Sequence, residues 1–162
     1  MNEMVTQKKL ADAQIEAFYH DEFVEDQVRD FGNLNDADSG GKAIVDIGGG
    51  CGFFARSLTD VHGYRTRVLD MDTRSVAKCH EIGVDAELGD ALTPEPTGDE
   101  DVVCFNLILH HLVGKNEAET RRLQIQALKA WHGKARRVDA IVIGQQNARV
   151  GFHPPIFSIP PI

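Results

Sequence analysis

The sequence predicts an α/β fold, in which a mostly parallel sheet is covered by helices on both of its faces. Short apolar runs rich in β-branched residues alternate along the chain with longer segments of helical periodicity. The short runs lack the apolar–polar alternation of half-exposed strands, which indicates strands buried on both faces. A glycine-rich turn follows the first run, as expected where a strand leads directly into a helix.

Composition is typical of a single-domain globular protein and excludes several kinds of partner. The 162 residues are 42% apolar, which is enough for one domain with its own core. The net charge is −8, and an acidic surface disfavours nucleic acid as the main partner. The apolar runs are too short to cross a bilayer, and the N-terminus lacks the apolar core of a signal peptide. We therefore expect no membrane partner and a cytoplasmic location.

The cysteines indicate neither a disulfide framework nor a metal site. Cys51, Cys79 and Cys104 are odd in number and lack the spacing of metal ligands. We expect free thiols in a reducing compartment and no bound metal.

The N-terminal part of the chain is predicted to be helical. Residues 10–31 carry apolar side chains close to helical spacing with acids between them, as in one or two amphipathic helices. A loop rich in Asp, Asn and Gly follows. We divide the single domain, residues 1–162, into a helical cap at 1–35, a core at 43–144 and a proline-rich tail at 145–162.

The core is predicted to contain about five buried strands in a Rossmann-like arrangement. The helical segments between the strands act as crossover connections, which make successive strands parallel. The strands are expected at residues 43–47, 65–69, 84–88, 101–105 and 138–143.

Three helices are predicted between these strands, and the sequence marks several of their ends. The first follows the glycines at residues 53–61, and the second runs from 75 to 82 and stops at Gly83. The third opens at Asn116, an N-cap residue with an acid three positions later, and closes at Gly133.

The proline-rich tail follows the fifth predicted strand and leaves two alternatives for the free edge of that strand. Four prolines stand among the last nine residues, and proline cannot donate to a sheet ladder. Without the tail, the fifth strand is an exposed edge that can pair with a second copy of the chain to form a homo-oligomer. Alternatively, the tail covers that edge as an irregular strap through Ile156, Phe157 and Ile159.

The turn after the first strand, VDIGGGCGFF at residues 45–54, has the composition of a ligand-binding loop. Glycines at the junction of a strand and a helix let backbone N–H groups approach a ligand that side chains would block. Gly50-x-Gly52-x-x-Ala55 fits the dinucleotide fingerprint. Asp70 ends the next strand, where a ribose-binding acid belongs. The alternative is a turn that only permits tight packing of the strand against the helix.

Asp46 is expected at the mouth of the glycine loop and argues against a pyrophosphate ligand there, because its carboxylate and a phosphate repel each other. A carboxylate there suits a ligand with a cationic amino group or a sulfonium. The segment resembles the first motif, D-x-G-x-G-x-G, of the class I methyltransferases that depend on S-adenosylmethionine (SAM). It matches at Asp46, Gly48, Gly50 and Gly52. SAM carries both cationic groups and a ribose, and it has no phosphate.

The second-strand segment resembles the next motif of the same family. "VLDMD", at residues 68–72, is similar to the motif whose acid holds both ribose hydroxyls. The resemblance implies that role for Asp70, with Asp72 the alternative by one register step. Asp72 also stands just before a helix, where it is expected to cap. Met71 is implied to lie against the adenine.

Two more segments resemble the family in the order in which the family has them. "LGDAL", at residues 88–92, is similar to the motif after the third strand. It implies that Asp90 accepts from the adenine amino group with Ala91 beside it, whereas a plain turn is the alternative. "DVVCFNLILHHL", at residues 101–112, resembles the fourth strand and the segment after it in small-molecule methyltransferases. Asn106 is implied to lie near the methionine part of SAM.

The resemblance implies transfer of the SAM methyl group to an O, N or C nucleophile of a small-molecule acceptor, which leaves S-adenosylhomocysteine (SAH). His111, and after it His110, are the candidates for a general base, because imidazole titrates near neutral pH. The alternative is that one histidine packs while the other caps or faces solvent. Proximity and alignment of the reactants can be enough to drive methyl transfer from a sulfonium, so a general base is not required.

The chain departs from the resembled family at its C-terminal end. The family's sheet usually has seven strands, of which the last two form an antiparallel hairpin, and too few residues follow Ile143 for that hairpin. Methyl transfer is therefore weighed against a second hypothesis, a catalytically impaired SAM- or SAH-binding protein or interaction protein with the methyltransferase fold. A third hypothesis, an NAD-binding oxidoreductase domain, is opposed by Asp46.

The (N/D)-P-P-(Y/F) motif of many DNA and protein amide methyltransferases is replaced by NLIL at residues 106–109, which argues against base methylation.

Overall fold

The computed structural model describes residues 22–35, 41–141 and 156–159 of the chain. Most of the predicted N-terminal cap and of the proline-rich tail lies outside these residues. The described part contains six strands. The bounds of the first five agree with those of the five predicted strands to within two residues. The strands are β1 (Ala43–Ile47), β2 (Arg65–Asp70), β3 (Asp85–Leu88), β4 (Val102–Asn106), β5 (Arg137–Ile141) and β6 (Ile156–Ile159).

The six strands form one sheet in the order β3-β2-β1-β4-β5-β6. The first five are parallel, and β6 runs antiparallel to β5. The predicted α/β fold with a mostly parallel sheet is therefore confirmed. The chain leaves β1 toward β2 and β3, and then returns to the other side of β1 with β4. In open α/β sheets such a reversal leaves a crevice at the carboxyl ends of the strands, where ligands bind.

Four α-helices connect or cover the strands, and their ends follow the capping residues in the sequence. The Asp72 side chain accepts from the backbone N–H of Arg74, and the Asn116 side chain accepts from that of Glu119. Each satisfies an N–H group that has no partner within its helix. The described helices are α1 (Glu22–Leu34), α2 (Phe53–His62), α3 (Thr73–Glu81) and α4 (Glu117–Trp131), with a 3₁₀ turn at Leu109–His111.

Two faces of the sheet carry separate apolar cores. Ile44 of β1 packs with α1 and α2, whereas its neighbour Val45 packs with α4 on the opposite face. A further cluster joins α3 to β2 and β3 on the α1–α2 face. Strands β1 and β4 are buried on both faces as predicted, because helices cover each face, whereas three of the four residues of β3 are exposed. None of the described helices has both the length and the apolar character needed to cross a membrane.

The tail contributes a regular strand, where the sequence analysis expected an exposed edge or an irregular strap. Strand β6 pairs with β5 from Ile156 opposite Ile141 to Ile159 opposite Val138. Its four residues have no proline, while pairs of prolines precede and follow them in the sequence. Every residue of the strand therefore keeps an N–H group for the ladder, and an edge strand needs partners on one side only. Strand β6 occupies the edge of β5 at which a second copy of the chain was expected to pair.

A buried ion pair fixes the sheet at the amino ends of its strands, opposite the crevice. Arg67 of β2 donates to Glu100 at 2.8 Å, and both side chains are buried. Glu100 also accepts from the backbone N–H groups of Thr97 and Gly98 at 2.6 and 2.8 Å. One carboxylate therefore orders the turn that leads into β4 and links it to β2.

We predict that Glu100→Ala destabilises the chain by about 3–5 kcal/mol, because the buried Arg67 guanidinium keeps only the exposed Glu87, at 3.2 Å, and two backbone N–H groups lose their acceptor. Asp99→Ala is the matched control, since Asp99 is the adjacent acid and pairs with Arg65 at the surface. Urea unfolding should show a large loss for Glu100→Ala and a far smaller one for Asp99→Ala. Equal losses would mean that the buried pair does not hold this end of the sheet.

Candidate functional site

The carboxyl ends of β1, β2 and β4 bring the predicted site residues to one edge of the sheet. Strand β1 lies between the other two, and its Asp46 is in register with Val68 on one side and Cys104 on the other. Asp70 ends β2 and Asn106 ends β4. The glycine loop crosses this edge from β1 to α2. Residues far apart in the sequence thus meet because parallel strands end together.

The glycine loop adopts a conformation that other residues rarely reach. Gly48, Gly50 and Gly52 have φ values of 67°, 55° and 79°, in the left-handed region. A Cβ on Gly48 would stand 2.4 Å from Ile108, and one on Gly52 would stand 2.8 Å from the Cys79 sulfur. The alternation of glycines in the motif is therefore required by backbone conformation at all three positions, and by close packing as well at two of them.

Asp70 joins the loop to the end of β2. Its Oδ2 accepts from the backbone N–H of Gly50 at 2.9 Å, and its Oδ1 accepts from that of Asp72 at 2.8 Å. Burial raises the pKa of Asp70, while these backbone N–H groups act in the opposite direction. A carboxylate has about four lone-pair positions, so further donors such as ribose hydroxyls can still be accepted.

Asp72, the alternative ribose acid, is engaged elsewhere. Its side chain caps α3 through the backbone N–H of Arg74 and also pairs with the Arg74 guanidinium at 2.9 Å. The predicted capping role of Asp72 is confirmed. Asp70 is therefore the acid of the two that bonds to the glycine loop, and its role toward a ribose stays a prediction.

Asp46 lies beneath the glycine loop and not at its open mouth, where the sequence analysis pictured it. The residue is fully buried, and neither carboxylate oxygen has a hydrogen-bond partner among the described residues. A Cβ on Gly49 would stand 2.4 Å from Oδ2, so the loop covers the carboxylate closely. Burial and then the negative charge of Asp70 raise the pKa of Asp46 well above its usual range.

The residues implied to surround adenine differ in their exposure and in their hydrogen bonds. Met71 is 52% exposed, which leaves its side chain free to cover a flat ligand. Leu88 is paired with Asp70 in the ladder and is 55% exposed, an apolar surface that the sequence analysis did not single out. Asp90 accepts from the backbone N–H of Leu92, so its side chain already serves a turn. Ala91 is buried, and its carbonyl accepts from Trp131 at 3.0 Å.

Asn106 lies between the glycine loop and α1. Its Nδ2 donates to Oε1 of Gln27 at 3.0 Å, and its Oδ1 is buried without a partner among the described residues. The next residue, Leu107, has φ of 58°, which is strained for a residue with a side chain. Sequence reasoning missed Gln27, although a polar residue on the apolar side of an amphipathic helix was a signal that could have found it.

The two candidate bases lie side by side on the 3₁₀ turn after β4. The ring centroids of His110 and His111 are 4.0 Å apart. Burial lowers the pKa of both imidazoles, and the charge of His111 lowers that of His110 further. A neutral imidazole at physiological pH can accept a proton. The turn itself is held to α4 by Gln124, which donates to the carbonyl of Leu109 at 2.9 Å.

Comparison with known proteins shows similarity in structure but not in sequence. No protein-family model and no curated protein matches the chain. A SAM-dependent methyltransferase from Aquifex aeolicus aligns with a TM-score of 0.63 and 16% identity, over 90% of this chain and 80% of that one. An S-adenosylmethionine-dependent methyltransferase from Clostridium acetobutylicum aligns with a TM-score of 0.57 and 10% identity, over 79% of this chain and 54% of that one. Coclaurine N-methyltransferase bound to N-methylheliamine and SAH aligns with a TM-score of 0.57 and 16% identity, over 74% of this chain and 36% of that one.

The chain has the fold of the SAM-dependent methyltransferases. The resemblance read from its motifs is thus confirmed at the level of the fold. The chain spans 80% of the Aquifex aeolicus protein but only 54% and 36% of the other two. At these identities the shared fold gives no information about the acceptor.

We predict that Asp46→Asn raises the melting temperature of the ligand-free chain, and more at pH 8 than at pH 5. The raised pKa keeps Asp46 protonated in the folded state at pH values where the unfolded chain is already ionised. The unfolded chain therefore gains stability relative to the folded one as the pH rises above about 4. Asparagine carries no charge and lacks this pH dependence.

Thermal unfolding at the two pH values measures the effect, with a gain of roughly 2–4 °C at pH 8 for each kcal/mol recovered. Asp85→Asn is the control, because Asp85 is exposed on β3. The same melting-temperature difference at both pH values would contradict an unpaired buried carboxyl at position 46.

Proposed function

We propose that the protein binds SAM across the carboxyl ends of β1, β2 and β4 and transfers its methyl group to a small-molecule acceptor. One observation carries the proposal: the acid that ends β2, Asp70, is hydrogen-bonded to Gly50 of the glycine loop, with a second carboxylate, Asp46, beneath that loop. The carboxylate of Asp70 repels a pyrophosphate at this loop, and a cation above the loop stabilises the ionised form of both acids. SAM has a sulfonium, an ammonium and a ribose, and it has no phosphate.

Each site residue has a role under this proposal. Asp70 accepts from the ribose hydroxyls with the lone pairs that its two backbone partners leave free. Met71 and Leu88 cover the adenine, since both present exposed apolar surface beside Asp70. Asp46 does not touch the ligand, and a cation bound above the loop lowers the raised pKa of its carboxyl group.

The adenine amino group and the methionine part have their own candidates. Asp90 and Ala91 follow β3 and stay the proposed neighbours of the amino group, although the Asp90 side chain also bonds to Leu92. Asn106 is the proposed neighbour of the methionine part, because it ends β4 and its buried oxygen has no partner among the described residues.

The acceptor is proposed to bind near the 3₁₀ turn, where His111 and His110 can take up a proton. Their lowered pKa values leave the imidazoles neutral at physiological pH. The acceptor nucleophile would bond to the methyl carbon as the bond from that carbon to the sulfonium breaks, which would leave SAH with a neutral sulfur, and the acceptor proton would pass to His111 or His110. We place this reaction in the cytoplasm, where the three buried cysteines stay reduced.

We predict that calorimetric titration of the purified chain shows micromolar binding of SAH and no binding of NADH. Asp70→Ala should weaken SAH binding by about 1–3 kcal/mol, because ribose hydroxyls then lose a charged acceptor. Asp72→Ala is the matched control, since Asp72 caps α3 and should change stability more than affinity. The opposite ranking of the two variants would move the ribose acid by one register step, and binding of NADH alone would favour the oxidoreductase hypothesis.

We further predict that the chain forms SAH from SAM when phenols or amines are supplied as acceptors. With an acceptor that turns over, His111→Gln should lower kcat by about 10²-fold or more while leaving SAH affinity unchanged, since a base acts in the chemical step. His110→Gln is the control for the neighbouring ring. Tight SAH binding without turnover of any phenol or amine would favour the binding protein without catalysis.

A further inference from the structure

Gln27 is a polar residue within the apolar side of α1. Its neighbours Val24, Val28 and Phe31 pack into the core between α1, α2 and the sheet. Gln27 is as buried as they are, with 6% of its surface exposed. Burying a side-chain amide costs about 1–3 kcal/mol unless it is hydrogen-bonded, whereas an apolar side chain would add to the core. The structure therefore retains an amide at a position where packing alone favours leucine or methionine.

The hydrogen-bond partner of Gln27 is Asn106, at the carboxyl end of β4. Nδ2 of Asn106 donates to Oε1 of Gln27 at 3.0 Å, across a sequence separation of 79 residues. Oδ1 of Asn106 is buried and has no partner among the described residues. An amide has one donor end and one acceptor end. With the donor end taken by Gln27, the end left without a partner is an acceptor, which can bind an N–H donor and not a carboxylate.

The two residues that follow Asn106 help to keep it in place. Leu107 is held at a positive φ, and Ile108 fills the space that a side chain at Gly48 would occupy. Asn106 is thus fixed between the glycine loop on one side and α1 on the other. Strained non-glycine residues that are held by their surroundings cluster at ligand sites.

We propose that Gln27 is a positioning residue that orients the Asn106 amide, so that Asn106 Oδ1 accepts a hydrogen bond from the α-ammonium group of the bound amino-acid moiety. The proposal rests on the proposed function, because SAM and SAH supply that ammonium. Asn106 Oδ1 is shielded in the ligand-free chain, so contact with the ammonium requires a small shift of Asn106. The Gln27 hydrogen bond transmits that shift to α1.

The test compares SAH with 5′-methylthioadenosine, which has the adenosine and the sulfur but lacks the amino-acid part. We expect Gln27→Met to weaken SAH about tenfold and to leave 5′-methylthioadenosine within about twofold, because a hydrogen bond to a charged group is worth about 1.5–3 kcal/mol. Gln27→Glu keeps an acceptor for Asn106 Nδ2 and should retain most of the discrimination between the two ligands. Val28→Ala is the matched control, since it loosens α1 at the next residue and should affect both ligands equally.

Calorimetry separates the outcomes. If wild-type protein binds both ligands and Gln27→Met weakens both equally, or neither, the assignment of Gln27 is overturned while the proposed function stands. If wild-type protein binds neither ligand, the proposed function fails and the assignment fails with it. A purely structural role for Gln27 would weaken the two ligands together.

A second measurement needs no variant and therefore does not depend on the fold of Gln27→Met. Hydrogen exchange of the wild-type chain should show that SAH slows exchange of the α1 amides, and that 5′-methylthioadenosine does so much less. Equal protection of α1 by the two ligands, or no protection by either, would overturn the link between α1 and the ammonium group.

Discussion

The hydrogen bond from the Gly50 N–H group to Asp70 is the constraint on which the site depends. It joins the loop after β1 to the end of β2, so the glycine loop and the candidate ribose acid form one unit. The second oxygen of Asp70 accepts from the Asp72 N–H group, which connects the same unit to the start of α3. A loop that adopts three left-handed glycine conformations would otherwise have many alternatives. Here one carboxylate selects the conformation.

Several groups in the same region lower the stability of the folded chain. Asp46 is buried without a partner among the described residues, and Asp70 is partly buried nearby with a raised pKa. Leu107 is strained, and the buried oxygen of Asn106 has no partner within the part of the chain that the structure describes. Such costs persist only where the surrounding structure overcomes them, and they concentrate at functional sites. The opposite end of the sheet shows the reverse, because Glu100 there satisfies Arg67 and two backbone N–H groups.

Strand β6 forms one edge of the sheet, beside β5, with only four residues. Four residues between two pairs of prolines complete an antiparallel ladder on β5. The prolines limit the strand to this length, and a strand of four residues next to prolines is a poor template for further pairing. A short edge strand thus stands beyond β5, where the resembled family usually has a hairpin of two strands. The difference lies away from β1, β2 and β4, which carry the candidate cofactor site.

The sequence by itself determined the fold class, five of the six strands, the capping residues Asn116 and Asp72, and the glycine loop, because these follow from local periodicity and local conformational preference. It also predicted that Asp70 stands at the end of the second strand, and the residue that ends a parallel strand lies at the crevice. Only the tertiary structure decided that Asp46 is sealed beneath the loop, that β6 pairs with β5, and that Gln27 meets Asn106. These depend on contacts between distant segments. Neither spacing nor composition encodes which buried atoms find a partner.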